Sequence, residues 1–284
     1  MHPLKFLEAT QIPAVRDADG SIHNAVCRES LIRFKANIGM ACGLTTLPGF
    51  TFWTAMEWMA ASMRAKNETV GEQASPAQIQ AAANTIGPLA EWYMAKAMQV
   101  DRSVQVEHLV ETTTMFSKFV MDAGPYAHGI LENLLKSILV QAWGAFEVLA
   151  EDLLTGVIET HSNCFDPQKI AKKFYFRKRS AIRDSYDRAF ASDQAIVAAT
   201  TDSSVDALSV LRNVLVHKSG IADAMFLTEV ANIPLLAEFS SLTSGSPLKI
   251  NGVHVSTIVS PTVVNGYSLV KAVDNWLAKK ALPA

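Results

Sequence analysis

Cysteine is scarce in this chain, and the three that occur do not form a recognisable site. Cys27, Cys42 and Cys164 are widely separated and include no Cys-x-x-Cys pair. Disulfide frameworks use even numbers of cysteines at short spacings, and zinc ribbons use paired ones. The sequence therefore argues against both, and a reducing cytoplasm is the expected setting.

Sequence motifs of several common enzyme classes are also missing. The chain contains no Gly-x-x-x-x-Gly-Lys phosphate loop, no Gly-x-Ser-x-Gly nucleophile elbow and no His-Glu-x-x-His zinc helix. His161 with Cys164 is too sparse a set to hold a metal. We therefore expect neither a cofactor nor a metal site.

Charge of one sign does not dominate the chain. Charged residues make up 18% of it, the formal net charge is -2, and 49% of the residues are hydrophobic, which is typical of a globular protein. Because there is no global basicity to attract nucleic acid, any such binding must come from a local patch. The first residues also lack the basic and apolar regions of a signal peptide, so export is not expected.

One uncharged stretch, residues 36–56, is about long enough to cross a bilayer. Glycines, threonines and a proline interrupt it, and Leu47-Pro48-Gly49 is typical of a break between two helices. A pair of buried helices is the favoured interpretation over a membrane span, and we expect no membrane association.

The length of 284 residues fits two domains of ordinary size better than one large domain. Residues 1–125 are predicted to form an N-terminal helical region of unknown role, which offers a surface for a protein partner. Its helices should run from Pro76 to about Gln99 and from Ser103 to Asp122. Residues 126–284 are predicted to form a second, mainly α-helical domain.

Helical patterns dominate this second domain. Apolar residues spaced three or four apart predict a long helix from His128 to about Thr160. A basic helix should follow at residues 168–190. Asp202 can cap a further helix, which Gly220 should end.

A short β-hairpin is predicted near the C-terminus. Leu248-Lys249-Ile250 and Val253-His254-Val255 alternate apolar and polar residues around Asn251-Gly252, a dipeptide that favours a type I′ turn. A last helix is expected from near Ser268 to Lys280. The predicted fold class is therefore a mainly α helical bundle with one hairpin.

Arg212, Asn213 and His217 form the cluster most suggestive of chemistry, on the helix that Asp202 caps. Asn213 and His217 are four residues apart and share a helix face, so the amide can orient the imidazole. Arg212 falls inside the apolar stripe and should be part-buried. A part-buried guanidinium needs an anionic partner, and the candidates are Glu147 and the phosphate of a nucleic acid.

Residues 212–217, Arg-Asn-Val-Leu-Val-His, resemble the signature of the HEPN superfamily, in which His follows Arg after a few residues. The following Lys218-Ser219-Gly220 and the Ala145-Phe146-Glu147 segment on the preceding long helix add to the resemblance. It covers roughly residues 125–282, about half of the chain.

The resemblance implies a compact helical bundle that often dimerises and that, in many members, cleaves RNA without a metal to leave 2′,3′-cyclic phosphate ends. It assigns stabilisation of the pentavalent phosphorane to Arg212, acid or base catalysis to His217, and positioning of His217 to Asn213. One histidine cannot easily take and give a proton at once, and Arg212 and His217 lie about 140° apart on an ideal helix. A homodimer would solve both problems. RNA is the expected substrate, and a toxin or antiphage defence role is the implied setting.

Two observations weigh against a direct transfer of that activity. Some HEPN toxins carry a modified tyrosine two residues after the histidine, where this chain has Ser219. Many HEPN domains are not nucleases and serve as dimerisation or interaction modules. In that alternative, Arg212 pairs with Glu147 and His217 caps a helix end; an unrelated fold is a third possibility.

Residues 169–188 are strongly basic, with eight lysines and arginines against two aspartates. Phe174, Tyr175, Phe176 and Tyr186 interleave with them, as in a surface that neutralises phosphates and stacks bases. The alternative is a solvated helix face whose aromatic side chains point inward. The RNA-binding candidates are Lys172, Lys173, Arg177, Lys178, Arg179 and Arg183.

Overall fold

The structure is a computed structural model that describes residues 18–43, 77 and 125–281. The chain divides into two compact units, one formed by Met1–Cys42 and Ile130–Ala284 and the other by Gly43–Gly129. The second unit lies almost entirely outside the described residues. So do the helices predicted at 76–99 and 103–122, apart from the helical Ala77. The division into domains at residue 125 stays a prediction.

The described part of the chain is mainly helical, as expected. Its α-helices are α1 (Ala25–Gly43), α2 (Pro125–Thr160), α3 (Pro167–Ile170), α4 (Arg179–Phe190), α5 (Gln194–Thr200), α6 (Ser203–His217), α7 (Ala224–Val230) and α8 (Gly252–Ala281). Short 3₁₀ helices occupy Ala18–Ser21, Ser162–Cys164 and Pro234–Ser241.

The long helix α2 supplies much of the core. Its predicted apolar stripe is buried at Leu135, Ile138, Ala142, Phe146, Leu149, Leu153 and Val157. The hydroxyl of Tyr186 on α4 donates to the carbonyl of Ala150 at 2.9 Å, which satisfies a buried phenol and fixes α4 against α2. The apolar periodicity of this segment therefore predicted both the helix and its buried face.

Helices α1, α2 and α8 approach each other closely at glycines. A Cβ atom on Gly266 of α8 would lie 2.7 Å from Cζ of Phe34 and 3.2 Å from Cδ2 of Leu149. On α2, a Cβ atom on Gly156 would lie 2.8 Å from Cγ1 of Val26. These distances are shorter than van der Waals contact, so the helices pack this closely because both positions are glycine.

A buried carboxylate on α8 holds the start of α1. The two oxygens of Asp274 accept hydrogen bonds from the backbone N–H groups of Asn24, at 2.7 Å, and His23, at 3.1 Å. The side chain of Asn24 in turn accepts from the N–H of Val26 at 3.0 Å. The first turn of α1 thus has partners for backbone N–H groups that no helical carbonyl can reach.

The β-hairpin predicted around Asn251-Gly252 is wrong. In the described residues there is no strand, and the isolated bridge between Ile221 and Pro247 is the only β pairing there. Asn251 instead caps α8: its Oδ1 accepts from the N–H of His254 at 3.0 Å, while His254 Nδ1 accepts from the N–H of Asn251 at 3.1 Å. This reciprocal pair is a capping box, and it starts a helix where the sequence suggested a turn.

None of the helices in the described ranges combines the length and the hydropathy needed to cross a membrane. Residues 36–43 of the uncharged stretch belong to α1, where Ile38, Ala41 and Cys42 are buried. Residues 44–56 lie outside the described part of the chain.

Candidate functional site

Helix α6 positions the Arg212 to His217 segment. Asp202 caps its start, as predicted, by accepting a hydrogen bond from the N–H of Ser204 at 2.8 Å. The helix ends at His217, where Ser219 (φ 53°) and Gly220 (φ 73°) adopt left-handed conformations. The N–H of Gly220 then donates to the carbonyl of Val214 at 3.0 Å. This end places His217 in the last turn, exposed to solvent.

The side chains of Arg212 and His217 meet. Nη1 of the half-buried Arg212 lies 2.7 Å from Nε2 of the exposed His217. Because a guanidinium only donates hydrogen bonds, Nε2 is the acceptor in this contact, which requires the tautomer with the proton on Nδ1. The long arginine side chain thus spans the angle of about 140° that separates the two positions on an ideal helix.

Asn213 contacts the arginine. Nη1 of Arg212 donates to Oδ1 of Asn213 at 3.2 Å, so one guanidinium nitrogen joins Asn213 and His217. The expected hydrogen bond from the amide to the imidazole is replaced by this indirect link. Arg212 is therefore the centre of the cluster.

Glu147 on α2 lies near the cluster without sealing it. Burial raises the pKa of its carboxyl, and a hydrogen bond from Trp143 and the positive charges of Arg212 and Arg177 oppose that rise. Within the described residues, no ion pair joins Glu147 to Arg212. Glu147 therefore acts on Arg212 through space, and the guanidinium keeps hydrogen-bonding capacity for an anion.

The predicted basic helix at residues 168–190 is interrupted. Residues 171–178 have no helical structure and separate α3 from α4; we call them the basic loop. Four of the predicted RNA-binding residues lie in it and are exposed, namely Lys172, Lys173, Arg177 and Lys178. In the part of the chain that is described, none of these four forms an ion pair with a carboxylate.

The other two predicted RNA-binding residues have carboxylate partners. Arg183 pairs with Asp206 of α6 and also donates to the carbonyl of Thr200. Arg179 pairs with Glu229 of α7 and approaches Asp206 at 3.6 Å. Burial raises the pKa of Asp206, and the two arginines oppose that effect. Arg179 and Arg183 thus join α4 to α6 and α7.

Side chains of α4 hold the backbone of the basic loop. The hydroxyl of Ser185 accepts from the N–H of Tyr175 at 3.2 Å and donates to its carbonyl at 3.1 Å. Arg188 donates to the carbonyls of Lys172 and Lys173, each at 3.0 Å. These bonds give partners to backbone groups of the loop that have no helical partner. Sequence reasoning missed both anchors, because neither residue has a distinctive local pattern.

The described residues contain no group of three or more His, Cys, Asp or Glu side chains arranged to hold a metal ion. None of the cysteines in them forms a disulfide, and burial raises the pKa of Cys27 and Cys42 to about 12.

No protein-family model, no curated protein and no solved structure matches this chain. The resemblance to the HEPN superfamily therefore rests on the motif residues of the sequence alone.

Proposed function

We propose that the protein is a metal-independent RNA endonuclease of the HEPN type that leaves 2′,3′-cyclic phosphate ends. The observation that carries this proposal is the 2.7 Å contact between the guanidinium of Arg212 and the imidazole of His217 at a solvent-exposed helix end. A cation and a neutral base side by side are the two groups that attack by a ribose 2′-hydroxyl requires.

The reaction begins when a phosphodiester replaces His217 as the partner of Arg212. The guanidinium then donates to the non-bridging oxygens, and Nε2 of His217 becomes free to take the proton of the 2′-hydroxyl. The 2′-oxygen bonds to phosphorus, and the bond from phosphorus to the 5′-oxygen breaks. Positive charge on Arg212 stabilises the negative charge that develops on the phosphorane.

The departing 5′-oxygen must receive a proton from a second group. In a homodimer the second copy of His217, when it carries protons on both ring nitrogens, can supply that proton from the opposite side, while the first copy keeps the proton it has taken from the 2′-hydroxyl. A two-fold axis near the exposed end of α6 would bring the two copies together. Homodimerisation is thus part of the proposal, and a toxin or defence role is the setting that the family resemblance implies.

Substrate binding comes from the basic loop. Its four exposed cations can neutralise phosphates, and Arg177 lies close enough to Glu147 to influence its pKa, as Arg212 does. Glu147 therefore marks the region where the basic loop and the catalytic pair come near each other. An RNA strand bound along the loop would extend toward Arg212.

The test is cleavage of end-labelled RNA in the presence of EDTA. His217→Ala and Arg212→Ala should each slow cleavage by about 10²- to 10⁴-fold, since they remove a proton acceptor and a transition-state cation. Met225→Ala, which changes an exposed side chain on α7, is the matched control and should cleave at the parental rate. Intact RNA at excess protein would instead support the non-catalytic dimerisation or interaction module.

A further inference from the structure

We propose that the ring of Tyr175 stacks on one unpaired base of the bound RNA, so that the basic loop selects single-stranded over duplex RNA. This inference rests on the proposed function and adds a residue that determines substrate class.

Tyr175 is the most exposed of the four aromatic residues within residues 169–188. Its side chain is 61% exposed, whereas Phe176 is 7% exposed and Tyr186 is fully buried. The ring of Phe174 is covered by the guanidinium of Arg188, 4.2 Å from the ring centroid. The exposed Tyr175 is not part of the core, and the face of its ring that is turned to solvent is a surface on which a base can stack.

The backbone beneath this ring is fixed. Both polar groups of the Tyr175 backbone bond to Ser185, and the buried ring of Phe176 anchors the next residue. Little backbone freedom is therefore lost when a ligand binds, so more of the stacking energy remains as affinity.

The charges beside the ring suit a nucleic acid strand. Nζ of Lys173 lies over one face of the Tyr175 ring, 5.7 Å from its centroid, so a base would stack on the opposite face; Arg177 and Lys178 follow Tyr175 in the loop. A base on the ring would thus have cations on both sides for its flanking phosphates. The charges of Arg177 and Arg212 both act on the pKa of Glu147, so a strand bound along the loop would pass near Arg212.

Stacking on Tyr175 requires a base whose face is free. In a duplex both faces of each base are covered by neighbouring base pairs, and exposing one costs a few kcal/mol. Single strands and loops offer such bases without that cost.

The experiment measures binding of the full chain to a fluorescent 12-nucleotide 2′-O-methyl RNA, which keeps bases and phosphates but has no 2′-hydroxyl to attack. Tyr175→Ala should weaken binding about 5- to 150-fold, the equivalent of 1–3 kcal/mol of stacking. Tyr175→Phe, which keeps the ring, should bind within about twofold of the parent, as should the control Met225→Ala. A matching duplex should bind more weakly and show no dependence on Tyr175.

Salt dependence separates stacking from charge. Arg177→Gln should flatten the plot of log K against log salt by about 0.7, because one phosphate contact is lost. Tyr175→Ala should leave that slope unchanged, since it removes no charge.

Each result decides between the two proposals. Parental cleavage together with unchanged single-strand binding by Tyr175→Ala overturns the stacking site and leaves the endonuclease. Tyr175-dependent binding by a chain that never cleaves RNA supports the stacking site and overturns the endonuclease. Equal loss of single-strand and duplex binding in Tyr175→Ala, or no RNA binding by the parent, also overturns the stacking site.

Discussion

The guanidinium of Arg212 is the hydrogen-bond donor to both neighbouring side chains of the cluster. It donates to Asn213 and to His217, and the second bond places the imidazole proton on Nδ1. An exposed histidine without such a donor is free to carry its proton on either nitrogen. In the reaction that we propose, this arrangement leaves Nε2 ready to accept a proton before RNA binds.

Long-range ¹H–¹⁵N correlation spectra can report this tautomer. At a pH where His217 is neutral, the parent should show the proton of His217 on Nδ1. Arg212→Ala should shift the population toward the Nε2 form, because the donor to Nε2 is gone. Lys218→Ala, which alters the next residue, is the control and should leave the tautomer unchanged. A parental His217 protonated on Nε2 would contradict the contact with Arg212.

Glu147 gives a second residue-scale prediction. Burial raises the pKa of Glu147 above the ordinary value of 4.5, so the folded chain holds this proton more tightly than the unfolded chain does. The contribution to stability is complete below about pH 4.5 and is lost as pH rises through the folded-state pKa. Glu147→Gln removes this titration.

Urea unfolding of the parent and of Glu147→Gln at pH 4, 5, 6 and 7 measures the effect. The stability of the variant relative to the parent should increase as pH rises across this range and then level off. Glu159→Gln, which changes an exposed glutamate near the end of α2, serves as the control. A relative stability that falls with pH would mean that Arg212 and Arg177 outweigh burial at Glu147.

At the scale of elements, close packing of α1, α2 and α8 depends on Gly266. Gly266→Ala would push a methyl group against the buried side chains of Phe34 and Leu149. The free energy of unfolding should fall by about 1–3 kcal/mol, as in other overpacked cores.

Gly39→Ala is the matched control, because Gly39 is an exposed position in α1 where an added methyl group would meet no other atom within 4 Å. Alanine favours a helix there, so stability should rise by about 0.5–1 kcal/mol. Equal effects of the two substitutions in denaturant unfolding would show that the three helices are not packed this closely.

The sequence predicted the elements whose signals are local. The residues that form the apolar stripe of α2 all lie in that helix, and Asp202 lies directly before the helix α6 that it caps. Asn251-Gly252 was misleading because asparagine followed by glycine suits the start of a helix as well as a hairpin turn. The reciprocal hydrogen bonds between Asn251 and His254 favour the helix start. Pro261 and Gly266 inside α8 lower its helix propensity, which hid the first half of that helix.

The candidate site was predicted in part for the same reason. Arg212, Asn213 and His217 lie within six residues, so their proximity follows from one helix. The reach of Arg212 to His217 depends on a side-chain conformation that residue spacing does not set. The conformation of the basic loop depends on Ser185 and Arg188, about ten to sixteen residues away, and no local pattern reveals such contacts.

At the scale of the molecule, the structure connects the basic loop to the helix that carries Arg212 and His217. The loop is anchored to α4, and α4 is joined by Arg179 and Arg183 to Asp206 of α6, the helix that carries Arg212 and His217. Tyr186 also fixes α4 to α2, which carries Glu147. A net charge of -2 therefore coexists with a local cationic surface held in a set position beside the proposed site.

The chemistry of the RNA ends tests the central claim most directly. RNA incubated with the parental chain in EDTA should yield fragments with 2′,3′-cyclic phosphate and 5′-hydroxyl ends by mass spectrometry, and a single 2′-deoxynucleotide at a cleaved position should abolish cleavage there. Fragments with 3′-hydroxyl and 5′-phosphate ends, or products that persist in His217→Ala at the parental rate, would contradict the account.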